Sequence, residues 1–579
     1  MAARSTGRRR PARRRGILRG RKSGTGGFDG RIRLLRFVFI VFLVVVGGKA
    51  VALASSSQNL TRIAQEQQTK EVILPAPRGA ILDRNGHELA VGKPQQTVYA
   101  TPYLLVDARD AADELCDALQ INRRRYRRDV EKTLVRAKKK GLGFAYVARK
   151  IDPELAKDAL ALGIPGVGSY EEEERTYPLK GTAAQVIGFA GTDNLGVAGI
   201  ELLYDEELSG SAGSESIVRD PAGHALKTVR QTEPVSGSDV RLTLDGEIQY
   251  YAEDVLRKAV RDSGGKSGVA IVMDPRTGEV LAMANVTPEG FHGFGKGDQA
   301  AEKNRAVTDW YEPGSIFKLV TVSGALAEGT VTPSSKFTVP WRIRVADRNV
   351  QDSHQHPTET YDVRRIMQES SNVGAVKIGQ KMGEAGMYKW IKAFGFGKKT
   401  GIQFPGEMEG RVDPVDKWSA SSIGNIPMGQ GIAVTAIQMA SAFSTVAANG
   451  WQVKPRLVAQ VGTKVYDTVE KHRVIPAKVA RQVRQMLLLA VEKGTGMDAR
   501  IPGYEVAGKT GTAQIPLKDG SGYSEDTYVS SFIGMVPADH PRLVVLCTVS
   551  DTPVYGGHAA APAVKQIMQF SLQHLEIAP

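Results

Sequence analysis

The chain has 579 residues, 42% of them hydrophobic and 24% charged. That is enough apolar material for about two to four cores, so disorder throughout is excluded. The formal net charge of +14 sits mostly in residues 1–33, which carry 12 Arg or Lys and one Asp; this distribution argues against a basic globular nucleic-acid binder.

Arginine runs at 8–10 and 13–15 precede the apolar stretch Leu34–Ala54. A positive flank before a span of that length reads as a single membrane helix with its N-terminus in the cytoplasm and everything beyond about residue 55 extracytoplasmic. Arg36 and Lys49 interrupt the span, and Ala52-Leu53-Ala54 resembles a cleavage site. Lys49 separates that site from the apolar core and can snorkel to the interface, which favours an uncleaved anchor. Residues 55–71 are polar and Gln-rich and read as a stalk that continues the helix.

Residues 72–238 alternate short strand-like pieces with charged helices and form one module without a catalytic constellation. Within it, the Lys- and Arg-rich segment Asn122–Lys140 reads as a solvated helix face. A more apolar module occupies 239–579. The runs Val269–Met273 and Glu279–Ala284 flank the turn Asp274–Gly278 and predict a hairpin. Helical patterns follow at Ser315–Leu326, Val363–Met382 and Thr435–Ala448, and strands at Glu505–Ile515, Tyr528–Val536 and Leu543–Val549. Strands, then helices, then strands predict an α+β fold with a mostly antiparallel sheet flanked by helices. Cys116 and Cys547 lie in different modules, and neither reads as catalytic.

Three short motifs carry chemistry. In Tyr311-Glu312-Pro313-Gly314-Ser315-Ile316-Phe317-Lys318, Pro313 is a helix-start residue, and the spacing puts Ser315 and Lys318 on one helical face. Serine needs a base to become a nucleophile, and lysine can serve as one only if its pKa is lowered. Ser-x-x-Lys alone is weak, arising about twice by chance in a chain this long. Ser370-Ser371-Asn372, placed on the predicted helix Val363–Met382, and Lys509-Thr510-Gly511-Thr512, opening a predicted strand, follow in the order that penicillin-recognising serine enzymes share.

With these motifs the chain resembles a class B penicillin-binding protein, nearest to the FtsI division type. The resemblance extends to Arg78-Gly79-Ala80-Ile81-Leu82-Asp83-Arg84-Asn85-Gly86, to Gly196–Gly210 with Gly199, Glu201, Tyr204 and Leu208, and to Gly556–Pro562. It implies a pedestal, or dimerisation-like, domain at 72–238 and a transpeptidase domain at 239–579. It also implies roles: Ser315 as acylated nucleophile, Lys318 as general base, Ser370 as proton carrier to the leaving amine, and Asn372 as orienting residue. Lys509 would supply positive charge, Thr510, Gly511 and Thr512 would bind the donor's terminal carboxylate, and the backbone N–H groups of Ser315 and Thr512 would form the oxyanion hole. No metal or cofactor is implied; His354 and His356 form a His-x-His without a third ligand at a recognisable spacing and read as loop residues. The implied ligands are peptidoglycan stem peptides on nascent, lipid-linked glycan, and β-lactams. The implied partners are an FtsW-type polymerase and other membrane proteins of the divisome, and no nucleic acid.

The remaining readings are a β-lactamase, which would need a deacylating water; a bifunctional synthase, for which 72–238 lacks a glycosyltransferase character; an elongation- or sporulation-type enzyme; and a non-catalytic β-lactam sensor or scaffold. Asn372 and the surrounding residues look division-like, while Gly429-Gln430-Gly431 departs from the Gly-Tyr-Gly common in proteobacterial FtsI.

Overall fold

The computed structural model describes residues 28–219, 225–517 and 522–579, and it divides into two compact units. The basic tail expected at 1–33 lies outside the described residues up to position 27. In the smaller unit, one helix runs from Phe28 to Gln68 without a break. Its segment Gly30–Ala54 is long and apolar enough to cross a membrane. That segment contains the expected span Leu34–Ala54, and the helix continues into the stretch read as a stalk. Strands Thr69–Leu74, Gly213–Arg219 and Ala225–Thr232 form a three-stranded sheet in that order.

In the larger unit, the strands Glu88–Ala100, Ala145–Ile151 and Val167–Thr176 carry the pedestal. Helices Ala108–Ala118, Arg124–Lys139 and Pro153–Ala161 close a separate small core there around Val98, Leu115, Leu134 and Ala159. Asn122–Lys140 does contain a helix, with Val130, Leu134 and Ala137 turned into that core and the arginines outward. The two pedestal motifs meet: buried Arg78 donates from Nε to Glu201 Oε2 (2.8 Å) and from Nη1 to Asp205 Oδ1 (2.7 Å), while Arg175 Nε donates to Glu201 Oε1 (2.7 Å). The pedestal then continues into the next domain by backbone pairing. Ile81–Leu82 runs parallel to Val240–Leu242, which pairs antiparallel with Val458–Val461, and Gly246 N donates to Asp83 Oδ2 (3.2 Å).

The remaining domain is built on five antiparallel strands. Taking its elements in chain order, α1 is Gly246–Asp262, β1 Ser267–Met273, β2 Val280–Val286, α2 Lys318–Ala327, α3 Val363–Gln368, α4 Asn372–Ala393, α5 Ala436–Ala447, α6 Ala477–Glu492, β3 Ala507–Pro516, β4 Tyr523–Val536, β5 Leu543–Thr552 and α7 Ala561–His574. The sheet order is β2-β1-β5-β4-β3, which leaves one side of β3 open. The strands read as continuous apolar runs because both faces of the sheet are covered. In β5, Leu543, Val545, Cys547 and Val549 enter the core under α1 and α7, and the alternate residues Val544 and Leu546 enter the core under α5 and α6. Helix α5 is buried at every position, and its start is fixed by a capping box in which Thr435 and Gln438 bond reciprocally. Burial pushes the Cys547 thiol up to about 12, in keeping with a packing role.

One expected element is corrected. Val363–Met382 is not a single helix: α3 ends at Gln368, α4 starts at Asn372, and Ser370 between them has φ +58°. Ser371 caps α4 by accepting from Gly374 N, as serine favours, and Ser370 and Asn372 have partners outside the helix that a continuous helix would turn away from.

Candidate active site

Ser315 lies in a 3-10 turn, Gly314–Phe317, that feeds directly into α2, whose first residue is Lys318. Gly314 has φ +56°, and its N–H donates to Gly429 O (3.0 Å). A Cβ at Gly429 would sit 2.1 Å from Gly314 O, so glycine is required for that loop to press on the turn. On the other side, Glu312 Oε1 accepts from Gly431 N (3.0 Å) and from the Tyr523 hydroxyl (3.1 Å). Burial raises the Glu312 pKa above the ordinary carboxylate value, although both hydrogen bonds oppose the shift. The first N–H groups of such a turn have no partner within it, and Ser315 N is one of them. Ser315 itself is half-buried.

Lys318 and Lys509 are both wholly buried. Lys318 Nζ donates to Ser370 O (2.5 Å) and Asn372 Oδ1 (2.7 Å), with Ser370 Oγ at 3.4 Å. Lys509 Nζ donates to Ser370 Oγ (2.7 Å). Burial, and then the nearby Lys509 charge, hold the Lys318 pKa well below its ordinary value, with Asp352 opposing; burial alone brings Lys509 to about 7. A neutral lysine amine has two hydrogens and one lone pair. The two short bonds to Ser370 O and Asn372 Oδ1 occupy both hydrogens, which leaves the lone pair of Lys318 free for a proton from the hydroxyl three residues earlier.

Thr510 and Thr512 leave β3 on the face opposite Lys509. Thr510 Oγ1 bonds Thr495 Oγ1 (2.8 Å), and Thr512 Oγ1 accepts from Gly556 N (3.1 Å). A group shared by Lys509 and these hydroxyls must therefore lie along the open edge of β3, where both faces can be reached. Gly511 has no room for a side chain: a Cβ there would lie 2.3 Å from Ser531 Oγ and 3.1 Å from Pro313 O. The same crowding places the Ser315 turn beside β3, since a Cβ at Gly314 would come 3.2 Å from Thr512 O.

The structure thus gathers all three motifs. A single hydrogen-bonded set joins Lys318, Ser370, Asn372 and Lys509, while Ser315 adjoins it on the same turn as Lys318, without a hydrogen bond from its hydroxyl into the set among the described residues. Sequence reasoning missed Asp352. Its Oδ2 accepts from Ser371 Oγ (2.8 Å) and its Oδ1 from Val373 N (2.9 Å), while Asn372 Nδ2 donates to Gln351 O (2.9 Å). These bonds set the α3–α4 break. It also missed Thr495, and it quoted Glu312 and Gly556 within motifs without giving either a contact at the site. Among the described residues there is no group of three His, Cys, Asp or Glu able to hold a metal ion. His354 is exposed, and His356 turns to Asp352.

Residues 73–242 match the Penicillin-binding Protein dimerisation domain, and residues 268–569 match the Penicillin binding protein transpeptidase domain. The chain is 33% identical to Stage V sporulation protein D of Bacillus subtilis, covering 94% of this chain and 86% of that protein. It is 32% identical to peptidoglycan D,D-transpeptidase FtsI of Escherichia coli, covering 87% and 84%. Among solved structures it is similar to penicillin binding protein 3 from Mycobacterium tuberculosis complexed with aztreonam, with a TM-score of 0.69 and 29% identity over 88% of this chain and 98% of that one.

Proposed function

This chain belongs to the class B penicillin-binding proteins and is a peptidoglycan D,D-transpeptidase, and on that premise we propose that Ser315 is its acylated nucleophile and the division septum its place of action. In this reading Ser315 Oγ passes its proton to the lone pair of Lys318 and attacks the penultimate D-Ala carbonyl of a stem peptide. The N–H groups of Ser315 and Thr512 receive the oxyanion. The C–N bond then breaks, Ser370 relays a proton to the departing D-Ala amine, and the chain is left with an ester on Ser315. An amine from a second stem peptide attacks that ester, the proton path runs in reverse, and the cross-link leaves. Lys509, Thr510 and Thr512 hold the donor carboxylate at the open edge of β3, and Gly511 lets the strand approach the nucleophile turn.

What carries this reading is the buried, hydrogen-bonded set around Lys318, in which a lysine without a carboxylate partner keeps a free lone pair beside a serine. Structural roles do not call for two unpaired lysines in one core. Fluorescent-penicillin labelling tests it: wild type should form a long-lived adduct that maps to Ser315 by peptide mass, and Ser315→Ala should form none. Rapid release of the label would point to a β-lactamase instead, and growth supported by Ser315→Ala would point to a sensor or scaffold.

The septal assignment rests on Asn372 and its surroundings, because identity to the sporulation and division relatives is nearly equal. Depletion separates the readings, with filaments for division, round cells for elongation and a sporulation defect for the third. The N-terminal apolar helix is compatible with a single-pass anchor. In this reading the basic flank in the sequence keeps the N-terminus in the cytoplasm by the positive-inside tendency, and the catalytic domain lies outside, where glycan from an FtsW-type polymerase would reach it.

A further inference from the structure

The Asp352 carboxylate that fixes the α3–α4 break has a third partner, and its chemistry is unusual. His356 Nε2 lies 3.1 Å from Asp352 Oδ2, while His356 Nδ1 lies 2.7 Å from Pro357 O. A proline carbonyl can only accept, so Nδ1 carries a hydrogen. An ionised carboxylate has no hydrogen to give, and Asp352 accepts on both oxygens, from Ser371 Oγ and Val373 N, so the group approaching Oδ2 from the histidine side must also donate. Both ring nitrogens are then donors, and that requires the imidazolium.

The other neighbours of the ring agree. Tyr361 stacks on it with centroids 5.8 Å apart, the Arg365 guanidinium lies over the Tyr361 ring at 4.3 Å from its centroid, and Glu359, paired to Arg365 at 2.7 Å, adds a second carboxylate nearby. Burial works against the cation, but the Pro357 carbonyl and Asp352 outweigh it and raise the His356 pKa above the ordinary histidine value.

We propose that His356 is a positioning residue: as an imidazolium it braces Asp352, which in turn holds the Ser370–Asn372 turn against Lys318. The inference rests on the acyl-transfer reading for its effect on catalysis, but not for the state of the ring. Because the folded pKa is raised, the brace is fully present below the ordinary histidine value and is lost as pH rises through the raised one. Above that point Nε2 presents a lone pair to a carboxylate oxygen, and the turn loses one of its fixed contacts.

The test measures β-lactam acylation against pH for the full-length chain in detergent. His356→Phe keeps the ring that stacks on Tyr361 and loses both donors, whereas His356→Gln keeps a donor that does not titrate. Other groups titrate in both proteins, so their effects cancel in the wild-type to His356→Phe ratio. That ratio should be about tenfold near pH 5.5 and fall toward one near pH 9, with His356→Gln close to wild type at the acid end. A ratio that stays constant across the range overturns the proposal, as it would reflect packing alone. Independently, nitrogen NMR of the histidine rings should show both His356 nitrogens protonated near pH 6, with the pKa falling in Asp352→Asn; a neutral ring there also overturns it. If wild type takes no penicillin at any pH, the transpeptidase reading fails, and the ring titration still decides the brace.

Discussion

Lys509→Met should make this protein more stable while disabling it. Lys509 is wholly buried, and its pKa of about 7 stands against an ordinary 10.5. A difference of about 3.5 units corresponds to about 5 kcal/mol at 1.36 kcal/mol per unit, and this is the burden the folded state carries while the amine is charged. The sign follows from proton binding: between about pH 7 and 10.5 the unfolded chain holds the proton and the folded chain does not, so wild-type stability rises with pH across that window and the burden is complete below it. Methionine matches the length of the chain and needs no solvation, but it forfeits the bond to Ser370 Oγ, which is worth about 1–2 kcal/mol. The net expectation near pH 6 is a gain of about 3 kcal/mol, or about 6 °C in the melting temperature of a domain this large. Near pH 10 the gain should vanish. The assay is a pair of thermal melts at the two pH values, with penicillin labelling on the same samples. A variant that melts lower than wild type by the same amount at both values would show that Lys509 is not desolvated, and the low pKa would then lose its physical basis.

Acylation by a β-lactam with a free carboxylate should fall as pH rises through about 7, where Lys509 loses its charge, and esterifying that carboxylate should abolish this alkaline limb. Gly429→Ala places a Cβ against Gly314 O at a φ of +88°, and should slow acylation about 100-fold in stopped-flow labelling through displacement of the nucleophile turn. Glu201→Ala leaves Arg78 and Arg175 buried without their shared carboxylate, and should cost about 3–5 kcal/mol in thermal unfolding while the folded fraction still labels normally.

The motifs and the strands were legible because each leaves a local signature. Ser-x-x-Lys needs only a helical turn, and the apolar runs of β1, β2 and β5 announce strands buried on both faces. The break at Ser370 was only half legible: Ser371 and Asn372 favour caps over helix interiors, and Ser371 does cap α4 by accepting from Gly374 N, but the opened turn is also held by Asp352, some 20 residues earlier, and by the amine of Lys318. Glu312 was hidden for a similar reason, since its partner Tyr523 lies 211 positions away. The pairing of Ile81–Leu82 with Val240–Leu242 and Val458–Val461 was likewise out of reach, because strands of two or three residues carry no periodicity.

The reactive groove draws on residues near 312–318, 351–372, 429–431, 495–512 and 556, and each stretch touches others far along the chain. Contacts of such long sequence separation each carry a loop-closure cost, as does the pairing of β1 with β5 in the sheet that holds Lys509. Antibiotic uptake during refolding would therefore report that all of these stretches have come together, a readout that no single helix or strand could give.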